Sequence, residues 1–498
     1  MKNAYELLEE RFGRLGRLEG AIEILQWDTQ TMMPKGSVEG RGEQLATLRV
    51  IAHELLSDPQ LDDLFAKAET LSLDGWQSAN LYEMRQAWRH SNALPADLVV
   101  AISKATAACG MAWRTARKED NFAALKPHLE EVFNLVRRQG ECKSAALGLT
   151  PYNALLDEYE PGVTTDIIDG LFDDLAAFLP DFIDEVLAVQ QAAPSILPLK
   201  GDFSTERQRT LGLKMMGVLG FDFDRGRLDV SHHPFCGGSF GDVRITTRYS
   251  EESFAESLMG VLHETGHALY ELGRPKPWAF QPVGVSRSMG THESQSLLME
   301  MQACRSREFI TFVAPQLREA FGSNGEAWAE ENLYRYYTKV ERGLIRVDAD
   351  EVTYPAHVIM RYRMERALVS GDLQVADLPG AWRDAMKEMI GIDVPNDRDG
   401  CMQDIHWIEG IVGYFPTYTL GALIAAQLFE AAKEANGDIL PSISRGDFKP
   451  LLGWLRENIH QWGRRYTVDE LLNRATGKSL DASIFRDHLK ARYLPKER

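Results

Sequence analysis

Apolar residues recur at i, i+3, i+4 and i+7 through nearly the whole chain, and that period most narrows what the chain can become. "AYELLEERFGRLGRLEGAIEILQWD", "GEQLATLRVIAHELLSD" and "LKPHLEEVFNLVRRQGECKSAAL" carry it, as do "IIDGLFDDLAAFLPDFIDEVLAVQQ" and most of the sequence after Ser253. A 3.6-residue repeat buries one stripe of a helix, so the expected fold class is all-α, mainly helical. One stretch breaks the rule. Between Arg225 and Ser250, after the turn "CGGSFG", Val243, Ile245, Thr247 and Tyr249 alternate with Arg244, Thr246 and Arg248. That alternation predicts a small β-ribbon. Its edge could take up an extended peptide through backbone hydrogen bonds, or it could be a hairpin covering the core; the sequence leaves both open. Gln191–Phe203, with Pro194 and Pro198, is the clearest connector. No fixed-period repeat or low-complexity tract divides the chain. A single body over residues 1–498 is expected, two helical lobes around a groove, with the active half at about 225–425.

Charge and cysteine usage exclude some partners. Against 55 basic residues stand 73 acidic ones, a formal charge of −18, which opposes non-specific nucleic-acid binding. The five cysteines are dispersed, odd in number and without a CxxC pair, as expected of reduced thiols in a cytoplasmic protein. "MKNAYELLEERFGRLGRLEG" has no apolar signal region, and no uninterrupted apolar run reaches the ~20 residues that span a bilayer, so no membrane partner is expected.

Chemistry concentrates in "VLHETGHALYELG". His263 and His267 are one helical turn apart and face the same way, so both imidazoles can reach one divalent ion. Glu264, rotated by about 100° from His263, sits beside such an ion and can take a proton from water, as in H-E-x-x-H metallopeptidases. The apolar flanks and the mid-helix Gly266 argue against two histidines on a solvated face, because unpartnered buried imidazoles are costly. Tyr270 and Gly273 occupy the places where a longer H-E-x-x-H-x-x-G-x-x-H pattern would need Gly and His, so a third ligand must come from farther on. "SMGTHESQSLLMEMQ" offers it: Glu293, 26 residues after His267, and Glu300 fall on one helical face, and spacing alone does not choose between them. Cys401 reads as an apolar filler rather than a nucleophile, and His232 as a loop histidine.

Taken in order, "HPF" at His233–Phe235, "DVRIT" at Asp242–Thr246, "HETGH", "HESQ" at His292–Gln295, "VIMR" at Val358–Arg361 and "GCMQDIHW" at Gly400–Trp407 resemble the M32 family of metallocarboxypeptidases, the carboxypeptidase Taq type. "WDTQTMMPKG" at Trp27–Gly36 and "LLDEYEPG" at Leu155–Gly162 extend the likeness over nearly the whole chain. The resemblance implies a helical zincin similar to neurolysin and angiotensin-converting enzyme, with a deep groove. It implies a homodimer with one zinc or cobalt ion per subunit. It implies removal of C-terminal residues from peptides with a free C-terminus, with broad specificity and proline disfavoured. By position, His263, His267 and Glu293 become the metal ligands and Glu264 the acid/base, which prefers Glu293 over Glu300 by analogy. His406 and Tyr414 resemble the His and Tyr that stabilise charge on the carbonyl oxygen in the helical peptidases, with Tyr418 a close rival. A free carboxylate suits a guanidinium fork, and Arg361 and Arg244 match family arginines at the groove; Arg346 is weaker, since Asp348 and Asp350 could engage it. His233 and Gln403, inside matched motifs, complete the substrate-binding candidates. Two rivals stand beside this reading: an endo-oligopeptidase on the same scaffold, and a non-catalytic metal-binding scaffold. Glu264 speaks against the second, because holding an ion needs ligands but no general base.

Overall fold

The computed structural model describes residues 2–495, and most of them are helical, as the periodicity predicts. The first helix, α1, spans Ala4–Thr31 and starts at a capping box, Asn3 accepting from the Glu6 amide while the Glu6 carboxylate accepts from the Asn3 amide. It buries Leu8, Phe12 and Leu15 in an N-terminal cluster with Leu61, Phe65 and Met84. Two larger cores share the helix Pro416–Ala435. Leu420 and Leu423 enter one core, while Ile424 and Leu428 enter the other. A helix apolar around most of its girth, such as "TLGALIAAQLF", has to be buried on several sides. One helix, Ala96–Glu119, is long and apolar enough on average to cross a bilayer; Lys104 and Arg114 break its apolar run, and it pairs with the helix Phe122–Leu147.

The predicted ribbon is a three-stranded mixed sheet. Strands β1 (Gly226–Val230), β2 (Cys236–Ser239) and β3 (Asp242–Thr247) lie in the order β1-β3-β2, with β1 parallel and β2 antiparallel to β3. The last strand stops at Thr247, short of Tyr249, because the chain turns through the Ser250–Ser253 bridge into the next helix. Leu228, Val243 and Ile245 pack on Val261 and Ala268 of that helix, Ala255–Gly273, so the sheet braces its back. The edge strand β2 lies against α1, where a Cβ on Gly20 would come within 2.3 Å of Ser239 Oγ.

Helix Ala255–Gly273 carries the histidines, and a return helix, Met289–Leu297, crosses it. Glycines set how closely. A Cβ at Gly266 would sit 2.5 Å from the Gln295 carbonyl oxygen and 2.6 Å from Ser296 Cα. On its other flank, a Cβ at Gly421 would meet Glu293 Cβ and Cγ at 2.8 Å. The mid-helix Gly266, unfavourable for the isolated helix, is therefore what lets the return helix approach. Ser288 caps that helix by accepting from the Thr291 amide, and buried Glu160 accepts from the Gly290 amide. Burial raises the Glu160 carboxyl to about 7, against the opposing pull of that amide.

Candidate metal centre

The crossing of these two helices brings His263, His267 and Glu293 together. One ligand atom from each lies within 4.8 Å of the others, a set of this composition found once among the described residues. Glu293 Oε2 is 3.5 Å from His267 Nε2 and 4.0 Å from His263 Nε2. Donors held about 2.0–2.2 Å from one tetrahedral ion lie roughly 3.3–3.6 Å apart, so the constellation needs only a slight contraction to close on one. The other ring nitrogens are already engaged. His267 Nδ1 donates to the His292 carbonyl at 3.1 Å, and His263 Nδ1 to Glu300 Oε2 at 3.0 Å, so both Nε2 atoms are turned toward Glu293. Two imidazoles and a carboxylate, with their outward nitrogens tied back, fit a divalent cation such as zinc or cobalt, which would displace the proton that the carboxylates otherwise hold on His263.

The electrostatics agree with that use. Burial raises the Glu264 carboxyl to about 7; His263 pulls it down and Glu293 pushes it up. Burial opposes ionisation of Glu293 as well, yet the two histidines hold it down at about 2. Burial would lower His263, but Glu300, Glu293 and Glu264 outweigh it and bring the ring up to about 10, whereas burial and His292 push His267 down to about 4. Three carboxylates around one imidazole make a strongly cation-attracting pocket.

Glu264, His267 and Glu293 line a groove of about 1000 Å³ whose opposite walls are α1 and the edge strand β2. Tyr414 and Tyr418 line it too. Tyr418 is tied down, its hydroxyl 3.2 Å from His406 Nε2. His406 itself lies behind Tyr418 and is not part of the groove wall; burial and Arg346 keep it neutral, lowering it to about 4. The two tyrosines thus reach the groove wall, with His406 one step back.

The arginines are placed differently from the sequence expectation. Arg361 is fully buried, its Nε on Asp404 at 2.7 Å and one terminal nitrogen on the His357 carbonyl at 2.7 Å, with its plane over Trp382. Arg244 forks onto Asp242 at 2.9 and 2.6 Å and stacks over Trp27 at 4.5 Å. Neither lines the groove; Asp242 takes the Arg244 fork, while Arg361 keeps one terminal nitrogen, Nη2, buried and without a partner among the described residues. Gln403 likewise spends its amide on backbone, accepting from the Arg346 amide and donating to the Leu344 and Asp399 carbonyls. His233 is exposed outside the groove. In this structure these four side chains therefore occupy framework or surface positions. Arg346 stacks over Tyr418 at 5.0 Å and pairs with Asp404 at 2.9 Å, and Asp348 and Asp350 are not its partners.

The cations that do line the groove are Arg274 and Arg464. Arg274 pairs with Glu271 at 3.1 Å, and Glu271 receives His292 Nε2 at 3.1 Å. The i+4 and i+7 positions of Glu271 and Arg274 relative to His267 put them on the histidine face, a signal that was available in the sequence.

Comparison with known proteins agrees with this geometry along the full length. Residues 7–493 match the family model described as carboxypeptidase Taq (M32) metallopeptidase. Thermostable carboxypeptidase 1 of Thermus thermophilus is 38% identical over 98% of both chains, and its namesake from Pyrococcus furiosus 36% identical over 97% of both. Among solved structures, Trypanosoma cruzi metallocarboxypeptidase 1 superposes with a TM-score of 0.97 at 42% identity, each chain covered to 99%. The M32 carboxypeptidase of Deinococcus radiodurans follows with a TM-score of 0.93 at 36% identity over 98% of both chains. The chain belongs to the carboxypeptidase Taq (M32) family of metallopeptidases.

Proposed function

We propose that the protein is a metallocarboxypeptidase that hydrolyses the last peptide bond of peptides with a free C-terminus. The observation that carries this is a groove of about 1000 Å³ lined by Glu264, His267 and Glu293, with His263 converging on the last two. His263, His267 and Glu293 would hold one zinc or cobalt ion, which when bound supplies Lewis acidity toward water and the scissile carbonyl. Glu264 takes the proton from the attacking water and returns it to the leaving amine. Tyr414, whose hydroxyl is not held by His406, donates to the carbonyl oxygen as charge grows there; Tyr418 stands beside it as a second donor. The outer edge of β2 supports the extended substrate backbone.

The same reading takes the groove to be of the neurolysin and angiotensin-converting-enzyme kind, between two lobes of a single domain. The volume of the groove, about 1000 Å³, supports broad choice of C-terminal residue, and proline is disfavoured because its ring removes an N–H and fixes the backbone. Five unpaired cysteines support a reducing, cytoplasmic setting. The homodimer implied by the resemblance belongs to the proposal as well.

The deciding assay compares a blocked peptide as its free acid and as its C-terminal amide. A carboxypeptidase cleaves the acid and loses the amide. Equal cleavage of both, with internal products, identifies an endo-oligopeptidase instead.

A further inference from the structure

The return helix does not end as an α-helix. From Leu298 to Ala303 it widens into a π-turn, a distortion that is frequent at functional sites. Glu293 lies before the turn and Glu300 within it, and the two carboxylates reach opposite nitrogens of a single imidazole. Glu293 Oε2 is 4.0 Å from His263 Nε2, and Glu300 Oε2 is 3.0 Å from His263 Nδ1. The second Glu300 oxygen accepts from Arg305 at 2.6 Å, and Arg305 also donates to the Tyr337 carbonyl at 3.4 Å. From the other side, Arg492 of the C-terminal helix Ala482–Tyr493 donates to the Met301 and Gln302 carbonyls, which belong to the π-turn itself. Glu300 and Arg305 are both largely buried, so the pair is shielded from competing water.

We infer that Glu300 is a positioning residue for the metal centre, with Arg305 holding its carboxylate, and that the π-turn exists to aim it at His263. By accepting from Nδ1–H, Glu300 fixes the ring in the tautomer whose Nε2 lone pair faces Glu293, and it stops the ring from turning about its bond to the chain. His267 obtains the same service from a backbone carbonyl, which no side-chain substitution can remove. His263 depends on a side chain, so the two imidazoles should respond differently to mutation. The inference rests on His263 being a metal ligand.

The test reads zinc affinity, not turnover, on the full-length protein stripped of metal, by competition with a chromophoric chelator. Circular dichroism checks that each variant is folded. Glu300→Ala is expected to weaken zinc binding by about 10–100-fold, and Arg305→Ala by less. Glu300→Gln, which keeps an oxygen acceptor for Nδ1–H, should recover part of the loss; a general packing defect would not distinguish Ala from Gln in this way. Glu293→Ala should lose more affinity than Glu300→Ala. Wild-type affinity in a folded Glu300→Ala variant overturns the proposal. So does a Glu300→Ala variant that loses zinc altogether while Glu293→Ala keeps it, since Glu300 would then be a ligand itself. Undiminished affinity in His263→Ala is the separate result that defeats the underlying metal-site reading.

Discussion

Replacing Glu264 by Gln should lower kcat for a free-acid peptide by about 10²–10⁴-fold while the protein keeps its metal. The substitution is nearly isosteric and removes only the ability to accept a proton. Glu264 is buried in the groove wall and is not one of the three converging ligand residues, so nothing in the cation site depends on its charge alone. The neighbouring Glu293 cannot take over, because the histidines hold its carboxyl at about 2, which makes it a poor base, and it faces their Nε2 atoms. The check is a kcat measurement with metal analysis on the same sample. A folded, metal-loaded Glu264→Gln variant with the full rate would remove the general base from the mechanism.

Gly266→Ala should also be costly, and here two effects of opposite sign compete. Helix propensity favours alanine at an interior position by about 0.5–1 kcal/mol. The contact opposes it: the new Cβ would lie 2.5 Å from the Gln295 carbonyl oxygen and 2.6 Å from Ser296 Cα, both backbone atoms that cannot rotate aside. Overpacking of that kind costs roughly 1–3 kcal/mol, so the contact wins. Relief requires the return helix to move away, and Glu293 moves with it, so zinc affinity should fall together with stability. Gly260 supplies the control on the same helix, since a Cβ there meets nothing within 4 Å. Gly260→Ala should be neutral or slightly stabilising and leave zinc binding intact. Thermal unfolding and chelator competition on both variants separate the two effects; identical behaviour would mean that the close crossing does not set the site.

What could be read in the sequence was mostly what is local. His263, Glu264 and His267 were legible because a 3.6-residue period fixes their mutual direction without reference to the rest of the fold. The strand at Asp242–Thr247 was legible from alternation, but its parallel pairing with Gly226–Val230 was not, since a parallel partner leaves no turn signal. Spacing left Glu293 and Glu300 tied, and both do reach His263; a π-turn that the residue pattern does not announce sends them to opposite nitrogens. The partners of the arginines were not legible for a related reason. A guanidinium looks the same in sequence whether it meets a substrate or Asp404, and the pairing of Arg361 with a carboxylate 43 positions away is a property of the tertiary fold. Arg244 offered a nearer warning in Asp242, two residues before it on the same strand face.

The account is tested most directly by anomalous diffraction from crystals of the zinc-loaded protein, recorded on both sides of the zinc absorption edge. It predicts one ion per chain, about 2.0–2.2 Å from His263 Nε2, His267 Nε2 and a Glu293 oxygen, with Glu300 still on His263 Nδ1. An ion bound elsewhere, or Glu293 swung away from both imidazoles in the loaded protein, would contradict it.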